Sequence, residues 1–285
     1  MASIDNLQSE IKNPFTFSQS SLQDYSDCAR RFQLRYIEQL QWPAVETAPV
    51  LENERRQQAG QQFHRMAQQY LIGLPADKLA RMAASLPPGP TTGSEALSRW
   101  WDNFITYAPK LEGFTLHPEL TLSTPIGKHR LIAKYDLVAV SPEKALIFDW
   151  KTYQKRPKNE WMAARLQTKV YLAVLVAAGA HLNGGKPILP EQIEMTYWYT
   201  DFPSEPYTIT YNTKQHKRDW VNLFGLVSEI DAKHSFPLTD DEKMCAYCPY
   251  RSYCDRGVSA GVIDDLETEL LDLDVNIEQI QEIEF

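Results

Sequence analysis

The sequence lacks the features that direct a chain to a membrane. Its first residues, MASIDNLQSEIKN, have no basic segment followed by an apolar one, which a signal peptide would have. No apolar run approaches the length that spans a bilayer. We therefore expect a soluble, cytoplasmic protein. The hydrophobic content of 43% in 285 residues is ordinary for a globular chain with a substantial core.

The sequence also lacks the excess of basic residues that is typical of nucleic-acid-binding proteins, since its net charge is -8. The acidity is concentrated at residues 261–285, which contain nine acidic residues and no Lys or Arg. The remaining body has 29 basic and 28 acidic residues, so it is close to neutral. The tail is either a disordered or helical solvated segment, or a segment that docks on a partner protein or mimics DNA. The apolar residues of the tail recur at helical spacing and favour an amphipathic helix: Ile263, Leu266, Leu270, Leu273 and Ile277.

Cysteine is scarce, and its placement is uneven. Three of the four cysteines, Cys245, Cys248 and Cys254, follow C-x2-C-x5-C spacing, whereas Cys28 lies 217 positions upstream of the first of them. In a reducing compartment such a set favours a metal over disulfides. Four thiolates could hold Zn²⁺ or an iron–sulfur cluster, and the residues alone leave both open. Either would join the two ends of the chain.

The hydrophobic patterns predict helices packed around a mixed sheet of five strands, which is an α/β fold. The predicted strands are LTLSTPIG, HRLIAKYDLVAV, KALIFDWKT, EMTYWYT and YTITYN. Helices are predicted at 16–40, 51–72, after the Pro/Gly-rich break at 86–94, at 159–179 and at 213–232.

Two acidic residues lie on neighbouring predicted strands. A turn at residues 141–144 would pair Val140 with Ala145, and the same register places Asp136 opposite Asp149. Cross-strand partners share a face, with Cβ atoms about 4.5–5.5 Å apart. Two carboxylates so placed repel each other, and a divalent cation would compensate. A bulge in either strand would break this register.

Lys151 follows Asp149 by two residues, so it lies on the same face of the strand. Phe148 and Trp150 point to the opposite face, into a core. Two acids for a hard cation with an ammonium group beside them suit the hydrolysis of a phosphodiester. The alternative is an edge hairpin with solvated charges, but the apolar segments LVAV and ALIF on its strands argue against it.

Three other residues carry little information alone. His64 borders an apolar helical stripe, where a histidine is more often structural than a ligand. Gln167 and Tyr171 are four residues apart, so they share one helical face.

Taken in order, these residues resemble the RecB-like branch of the PD-(D/E)xK nucleases. The order is His64, Asp136 ending IAKYD, Asp149 and Lys151 in FDWKT, then Gln167-x-x-x-Tyr171. The closest likeness is to the branch with an iron–sulfur cluster, which includes the CRISPR-associated adaptation exonucleases and the nuclease domains of AddB-type proteins. There, one N-terminal cysteine joins three C-terminal ones around a 4Fe-4S cluster. The resemblance covers about residues 16–257 and implies a restriction-endonuclease-like core.

The resemblance also implies a role for each residue. His64, Asp136, Asp149 and the Trp150 carbonyl would bind Mg²⁺ or Mn²⁺, and Lys151 would be catalytic together with the two aspartates. Gln167 and Tyr171 would orient the site or the DNA strand. The cluster ligands would be Cys28, Cys245, Cys248 and Cys254. Near that cluster, Arg30 and Arg31 could contact phosphates.

We therefore expect a nuclease domain at residues 1–260, with its N- and C-terminal segments joined at the four-cysteine cluster, and an acidic tail at 261–285. The expected function is metal-dependent hydrolysis of DNA, as an exonuclease on single strands or ends, in DNA repair, recombination or CRISPR adaptation. The alternative is a non-catalytic DNA-binding or adaptor subunit. The expected partners are DNA and, through the tail, a protein, with no membrane.

Overall fold

The computed structural model of the protein describes residues 14–40, 48–84, 93–245 and 248–257. The tail at 261–285 and its predicted amphipathic helix lie outside the described residues. Within the described residues, no helix combines the length and the apolar character that crossing a bilayer requires. The helices are α1 (Gln19–Asp27), α2 (Ala29–Phe32), α3 (Ala48–Leu71), α4 (Ala76–Ala84), α5 (Gly93–Tyr107), α6 (Asn159–Ala164), α7 (Leu166–Ala178) and α8 (Thr213–Asp231). The strands are β1 (Thr16–Phe17), β2 (Thr115–Ile126), β3 (His129–Val140), β4 (Ala145–Lys151), β5 (Ile193–Tyr199) and β6 (Phe202–Thr210).

The strands form one mixed sheet, which confirms the predicted α/β architecture. The order across the sheet is β1-β3-β4-β5-β6, and β2 pairs with β3. The β4–β5 pair is parallel, while β2–β3, β3–β4 and β5–β6 are antiparallel. The five long strands correspond to those predicted, although β2 and β6 each begin five residues before the predicted start. The two-residue strand β1 was not predicted, because two residues show no alternation.

Strand β3 shares one of its edges between two neighbours. β2 occupies the other edge along the whole of β3, from Thr115 opposite Val140 to Ile126 opposite His129. β4 pairs only with residues 137–140, and β1 pairs in parallel with Arg130 and Leu131. The sheet is therefore split between β3 and β4, and residues 132–136 face the opening.

Each face of the sheet carries a hydrophobic core. The larger core packs strand residues such as Tyr135, Ile147 and Tyr197 against α1, α7 and α8. The smaller core is aromatic and packs Phe148, Trp150 and Trp198 against α3, α4 and α5. Phe148 and Trp150 thus enter a core on the face opposite Asp149, as the alternation of β4 predicted.

Two predicted helices are interrupted. The helix predicted at 16–40 breaks at Cys28, whose φ of -160° and ψ of 109° are extended, and it continues as α2 and a π-helical turn at Gln33–Ile37. The helix predicted at 159–179 breaks at Arg165, where ψ is 148°, and ends at Gly179 as expected. Neither break contains Pro or Gly, so no local signal marks it.

The N- and C-terminal segments of the described chain pack together. The Arg30 amide donates to the Pro237 carbonyl at 3.1 Å, and the Tyr250 hydroxyl donates to the Leu40 carbonyl at 2.9 Å. Leu34, Cys248 and Tyr250 form a small core of their own. These contacts bring the chain around Cys28 to the chain around Cys248.

His129 connects three elements. Its Nδ1 accepts the Phe15 amide at 3.0 Å, so Nε2 carries the proton and donates to Asp231 at the end of α8, at 2.9 Å. The ring is buried, with 3% of its surface exposed. It therefore fixes the segment before β1 and the last long helix to the start of β3.

We expect His129→Phe to lower the free energy of unfolding by about 2–3 kcal/mol, because it leaves the partly buried Phe15 amide without its acceptor in the buried His129 ring. The measurement is urea denaturation. Lys128→Gln is the matched control, since Lys128 contacts the same Asp231 at 3.0 Å from an exposed position and should cost less than about 1 kcal/mol. Equal stability of the two variants would contradict the structural role of His129.

Candidate active site

The carboxylate of Asp136 lies where β3 and β4 separate. The predicted register holds from Val140–Ala145 to Leu137–Phe148, and the ladder ends one pair before Asp136 and Asp149. Asp136 Oδ2 instead accepts the Trp150 amide at 2.7 Å. A side chain thus replaces a backbone acceptor in the ladder, so the two strands diverge from this point.

β2 and β3 also exchange their buried faces at this level. Tyr135 belongs to the larger core and Leu137 to the smaller one, although both are odd-numbered positions of β3. On β2, Leu120 packs on the larger core and Leu116 on the smaller one. Strict alternation would keep the two β3 residues on one face of the sheet, and likewise the two β2 residues. The exchange turns Asp136 towards α3, on the other side of the sheet from the helix that contacts Asp149.

Asp149 and Lys151 form a buried polar network with α7. Asp149 Oδ2 lies 3.0 Å from Lys151 Nζ, and Asp149 Oδ1 accepts from Gln167 Nε2 at 2.8 Å. Lys151 Nζ donates to Gln167 Oε1 at 3.0 Å, which closes the triangle. All three residues are less than 9% exposed. The amide of Gln167 therefore holds the acid and the base in fixed positions.

His64 reaches the site from α3. Its Nδ1 lies 3.1 Å from Asp136 Oδ1. One turn earlier in the helix, the Cβ of any other residue at Gly60 would lie 3.2 Å from Thr152 Oγ1, so glycine lets α3 pass close to the chain that follows Lys151. Burial alone would lower the pKa of His64, but the charge of Asp136 outweighs it and raises that pKa to about 8.

The two aspartates differ in acidity. Burial would raise the pKa of Asp136, but the charge of His64, its hydrogen bond and the Trp150 amide lower it. Burial, together with the charge of Asp136, raises the pKa of Asp149 to about 6 against the attraction of Lys151. Burial would lower the pKa of Lys151, yet Asp149 raises it well above its ordinary value. In the metal-free site Asp136 is therefore the stronger acid and Lys151 is a cation.

The structure adds Glu119 to this site. One ligand atom from each of His64, Glu119 and Asp136 lies within 4.8 Å of the others. Sequence analysis missed Glu119, although the signal was available. The Gly127–Lys128 turn pairs Ile126 with His129, and the same register places residue 119 opposite Asp136.

The remaining residues proposed for the site have other surroundings. Tyr171 is 4% exposed and packs on Tyr135 with ring centroids 4.8 Å apart, and its carbonyl accepts the Tyr135 hydroxyl at 2.9 Å. Tyr171 thus supports the residue before Asp136 from the core.

The two arginines beside Cys28 have different roles in the fold. Arg31 is 7% exposed and binds Asp24 at 2.8 Å and Asp27 at 2.6 Å. Arg30 is half-buried and donates to Gln33 at 2.7 Å. Arg31 is therefore engaged in buried ion pairs that leave it poorly placed to meet a phosphate, whereas Arg30 is accessible.

The four cysteines are all free thiols. Burial, together with the charges of Cys248, Cys28 and Cys245, raises the pKa of Cys254 to about 11. Burial likewise raises the pKa of Cys245 and Cys248, and Cys28 contributes to both. The four thiols therefore lie near enough to one another to interact electrostatically.

A fold with an opened mixed sheet, and a site of two aspartates, a lysine and a histidine at the opening, agrees with what the family comparison shows. Residues 16–255 match the family model described as the PD-(D/E)XK nuclease superfamily. The chain belongs to this superfamily, whose members are metal-dependent nucleases that use divalent ions.

Two solved structures are similar to this chain over most of its length. SSO0001 is 13% identical, with 88% of this chain and 91% of that chain covered and a TM-score of 0.41. A protein from Eubacterium rectale named "Putative exonuclease" is 11% identical, with 91% and 93% covered and a TM-score of 0.46. Among curated proteins, none matches the chain.

The raised pKa of His64 predicts a specific pH dependence of stability in metal-free protein. A folded-state pKa of about 8 against about 6.5 in the unfolded chain stabilises the fold fully below pH 6.5, and this contribution disappears as the pH rises through 8. The shift corresponds to about 2 kcal/mol at most. We expect urea denaturation to show that the advantage of the wild type over His64→Gln shrinks by that amount between pH 6 and pH 9.

The comparison with His64→Gln cancels the titration of all other groups that the variant leaves unchanged. A stability difference that stays constant over this pH range would contradict the ion pair between His64 and Asp136.

Proposed function

We propose that this chain is a Mg²⁺- or Mn²⁺-dependent deoxyribonuclease that acts as an exonuclease on single-stranded DNA or DNA ends. The observation that carries the proposal is the convergence of His64, Asp136, Asp149 and Lys151 at the opening between β3 and β4. The family establishes nuclease chemistry and the use of divalent ions. The substrate, the polarity and the choice of ion are the proposed part.

The residues at the opening fit a hard divalent ion. Carboxylate oxygens are the preferred ligands of Mg²⁺ and Mn²⁺, and imidazole is a common additional ligand of transition metals. His64, Asp136, Asp149 and the Trp150 carbonyl are the residues that would hold it. Such an ion polarises the scissile phosphate and favours the ionised form of a water nucleophile.

The protein residues have separable roles in this proposal. Lys151, held by Asp149 and Gln167, supplies a fixed positive charge where negative charge develops on the phosphate. His64 is a cation below about pH 8 in the metal-free site, so it must lose its proton before its ring nitrogen can bind a metal. Gln167 positions the side chains of both Asp149 and Lys151.

A basic loop after β4 supports a nucleic-acid substrate. Lys155 and Lys158 are exposed there. Between them, Arg156 is anchored by the Glu205 carbonyl at 3.0 Å and by Asn159 at 2.9 Å. Positive side chains on an ordered loop position a phosphate backbone without reading its sequence. Lys155 follows Lys151 by only four residues, so a bound strand would be held beside the reacting phosphate.

We expect Asp149→Asn and Lys151→Ala each to reduce cleavage of end-labelled single-stranded DNA in Mn²⁺ by at least about a hundredfold, because each removes charge from the reacting centre. EDTA should abolish wild-type cleavage. Lys144→Ala is the matched control: Lys144 pairs with Glu194 at 2.6 Å at the far end of the same hairpin and should leave the rate unchanged.

Labelling either end in turn reveals the polarity. Wild-type-like cleavage by Asp149→Asn or Lys151→Ala would show that the hairpin is not the catalytic centre. Wild-type protein that binds DNA and leaves it intact in Mn²⁺ would instead indicate an adaptor subunit.

We also propose that Cys28, Cys245, Cys248 and Cys254 hold a 4Fe-4S cluster rather than Zn²⁺. The proposal rests on the resemblance, in which one N-terminal cysteine joins three C-terminal ones around such a cluster. It is supported by the packing of the chain around Cys28 against the chain around Cys248.

The charges around the thiols support the same proposal. Arg31 lowers the pKa of Cys245 and Cys248 against the effect of burial, and Arg30 does the same for Cys254. An anionic, thiolate-bound cluster would be stabilised by these cations. On this view Arg31 serves the cluster and the fold, and Arg30 is the better placed of the two to meet DNA.

We expect the purified protein to be brown, with broad absorbance near ~400 nm. Cys28→Ser should remove the colour and the iron. It should also destabilise the whole domain by on the order of 5 kcal/mol, by analogy with the closure of a long loop by a disulfide. Elemental analysis and thermal denaturation provide the measurements. Colourless protein with one tightly bound zinc, or unchanged iron in Cys28→Ser, would contradict the cluster.

The process that the resemblance suggests is DNA repair, recombination or CRISPR adaptation in the cytoplasm. The docking of the acidic tail on a protein partner is part of the same proposal, and it rests on the spacing of the apolar residues in residues 261–285.

A further inference from the structure

Glu119 has an unusual backbone for the middle of a long strand. Its φ is +52°, in the left-handed region, although β2 continues for several residues on both sides. The neighbouring pairs are Pro118–Leu137 and Leu120–Tyr135, so Glu119 lies opposite Asp136 with no pairing of its own. The irregularity therefore falls at the one level of the sheet where β3 also separates from β4.

The left-handed backbone of Glu119 costs free energy, and the local contacts of Glu119 do not offset this cost. A non-glycine residue in the left-handed region costs about 1–2 kcal/mol. The ion pair of Glu119 with Lys134, at 3.0 Å, involves a lysine side chain that is 48% exposed, and such pairs contribute about 0–1 kcal/mol. Glycine would adopt the same conformation without strain. A role of the Glu119 carboxylate in the site, rather than a contribution to folding, therefore explains why a glutamate occupies this strained position.

The carboxylate of Glu119 points to the part of the site that Asp149 does not occupy. Asp149 has its two oxygens turned to Gln167 and Lys151. The ligand atoms that lie within 4.8 Å of one another come instead from Glu119 on β2, Asp136 on β3 and His64 on α3. Three separate elements therefore deliver two carboxylates and one imidazole to the same point.

We propose that Glu119 is a ligand of the divalent ion, which it shares with His64 and Asp136; this inference rests on the proposed metal-dependent nuclease. Asp149 remains in the proposed ligand set and also holds Lys151. The left-handed backbone at Glu119 directs its carboxylate from β2 towards Asp136.

Lys134 has a secondary role in this arrangement. It contacts Glu119 Oε2, which leaves the second carboxylate oxygen available. The exposed ammonium group of Lys134 is not needed to position the carboxylate, and its positive charge competes with the divalent ion for it. If Glu119 served only to pair with Lys134, removing either partner would have the same effect.

The test is titration calorimetry of the full chain with Mn²⁺, without DNA. We expect Glu119→Gln to raise the Kd for Mn²⁺ by about tenfold or more, since even residues that only support metal ligands typically cost 10–100-fold. Lys134→Ala should bind Mn²⁺ at least as tightly as the wild type. Glu194→Gln removes a carboxylate from a similar Glu–Lys pair at the other end of the sheet and controls for the loss of one charge.

A second variant separates binding from folding. Glu119→Gly removes the carboxylate and relieves the left-handed strain, so its melting temperature in EDTA should equal or exceed that of the wild type. The rise in melting temperature on adding Mn²⁺ should be smaller in this variant, because a ligand stabilises the fold in proportion to its affinity.

Each outcome decides one claim. Wild-type affinity in Glu119→Gln, or equal losses in Glu119→Gln and Lys134→Ala, would overturn the role of Glu119 and leave the proposed nuclease in place. A wild-type protein that binds no Mn²⁺ would overturn the proposed metal-dependent nuclease itself. Selective weakening in the two Glu119 variants supports the inference.

Discussion

The hydrogen bond from the Trp150 amide to Asp136 is the contact on which the site depends. A backbone donor of β4 is satisfied by a side chain of β3, at 2.7 Å, so the ladder can end there without leaving a buried amide unpaired. The opening that results holds the side chains of the candidate site, and β1 occupies the edge of β3 beyond it. The same carboxylate contacts His64 through its other oxygen. One side chain therefore opens the sheet and receives the helix that completes the site.

The buried charges at this opening are arranged in two linked pairs. One pair is Asp136 with His64, and the other is Asp149 with Lys151. In each pair the positively charged partner compensates a carboxylate that burial alone would keep protonated. Asp149 nevertheless keeps a pKa near about 6, which shows that Lys151 compensates it incompletely. A divalent ion at the opening would supply the remaining positive charge. The aromatic core behind Trp150 keeps this end of β4 rigid, with Phe104 and Trp198 packed edge-on against it.

The sequence predicts the long strands, the hairpin register and the family, because each depends on local alternation, turn chemistry or motif order. It places Asp136 opposite Asp149 correctly in register, but the ladder stops before that pair. Alternation cannot predict that stop, since a side chain competes there with a backbone acceptor. Glu119 was missed because the predicted strand begins at Leu120, whereas β2 begins at Thr115. The breaks at Cys28 and Arg165 follow from tertiary packing and leave no local mark.

The most direct test of the central claim is a crystal structure of the protein soaked in Mn²⁺, with the ion located by its anomalous scattering. The account predicts one strong peak at the opening between β3 and β4, within bonding distance of Asp136 and His64, with the Trp150 amide still bonded to Asp136. An ordered peak elsewhere on the protein, with this opening left without one, would contradict it.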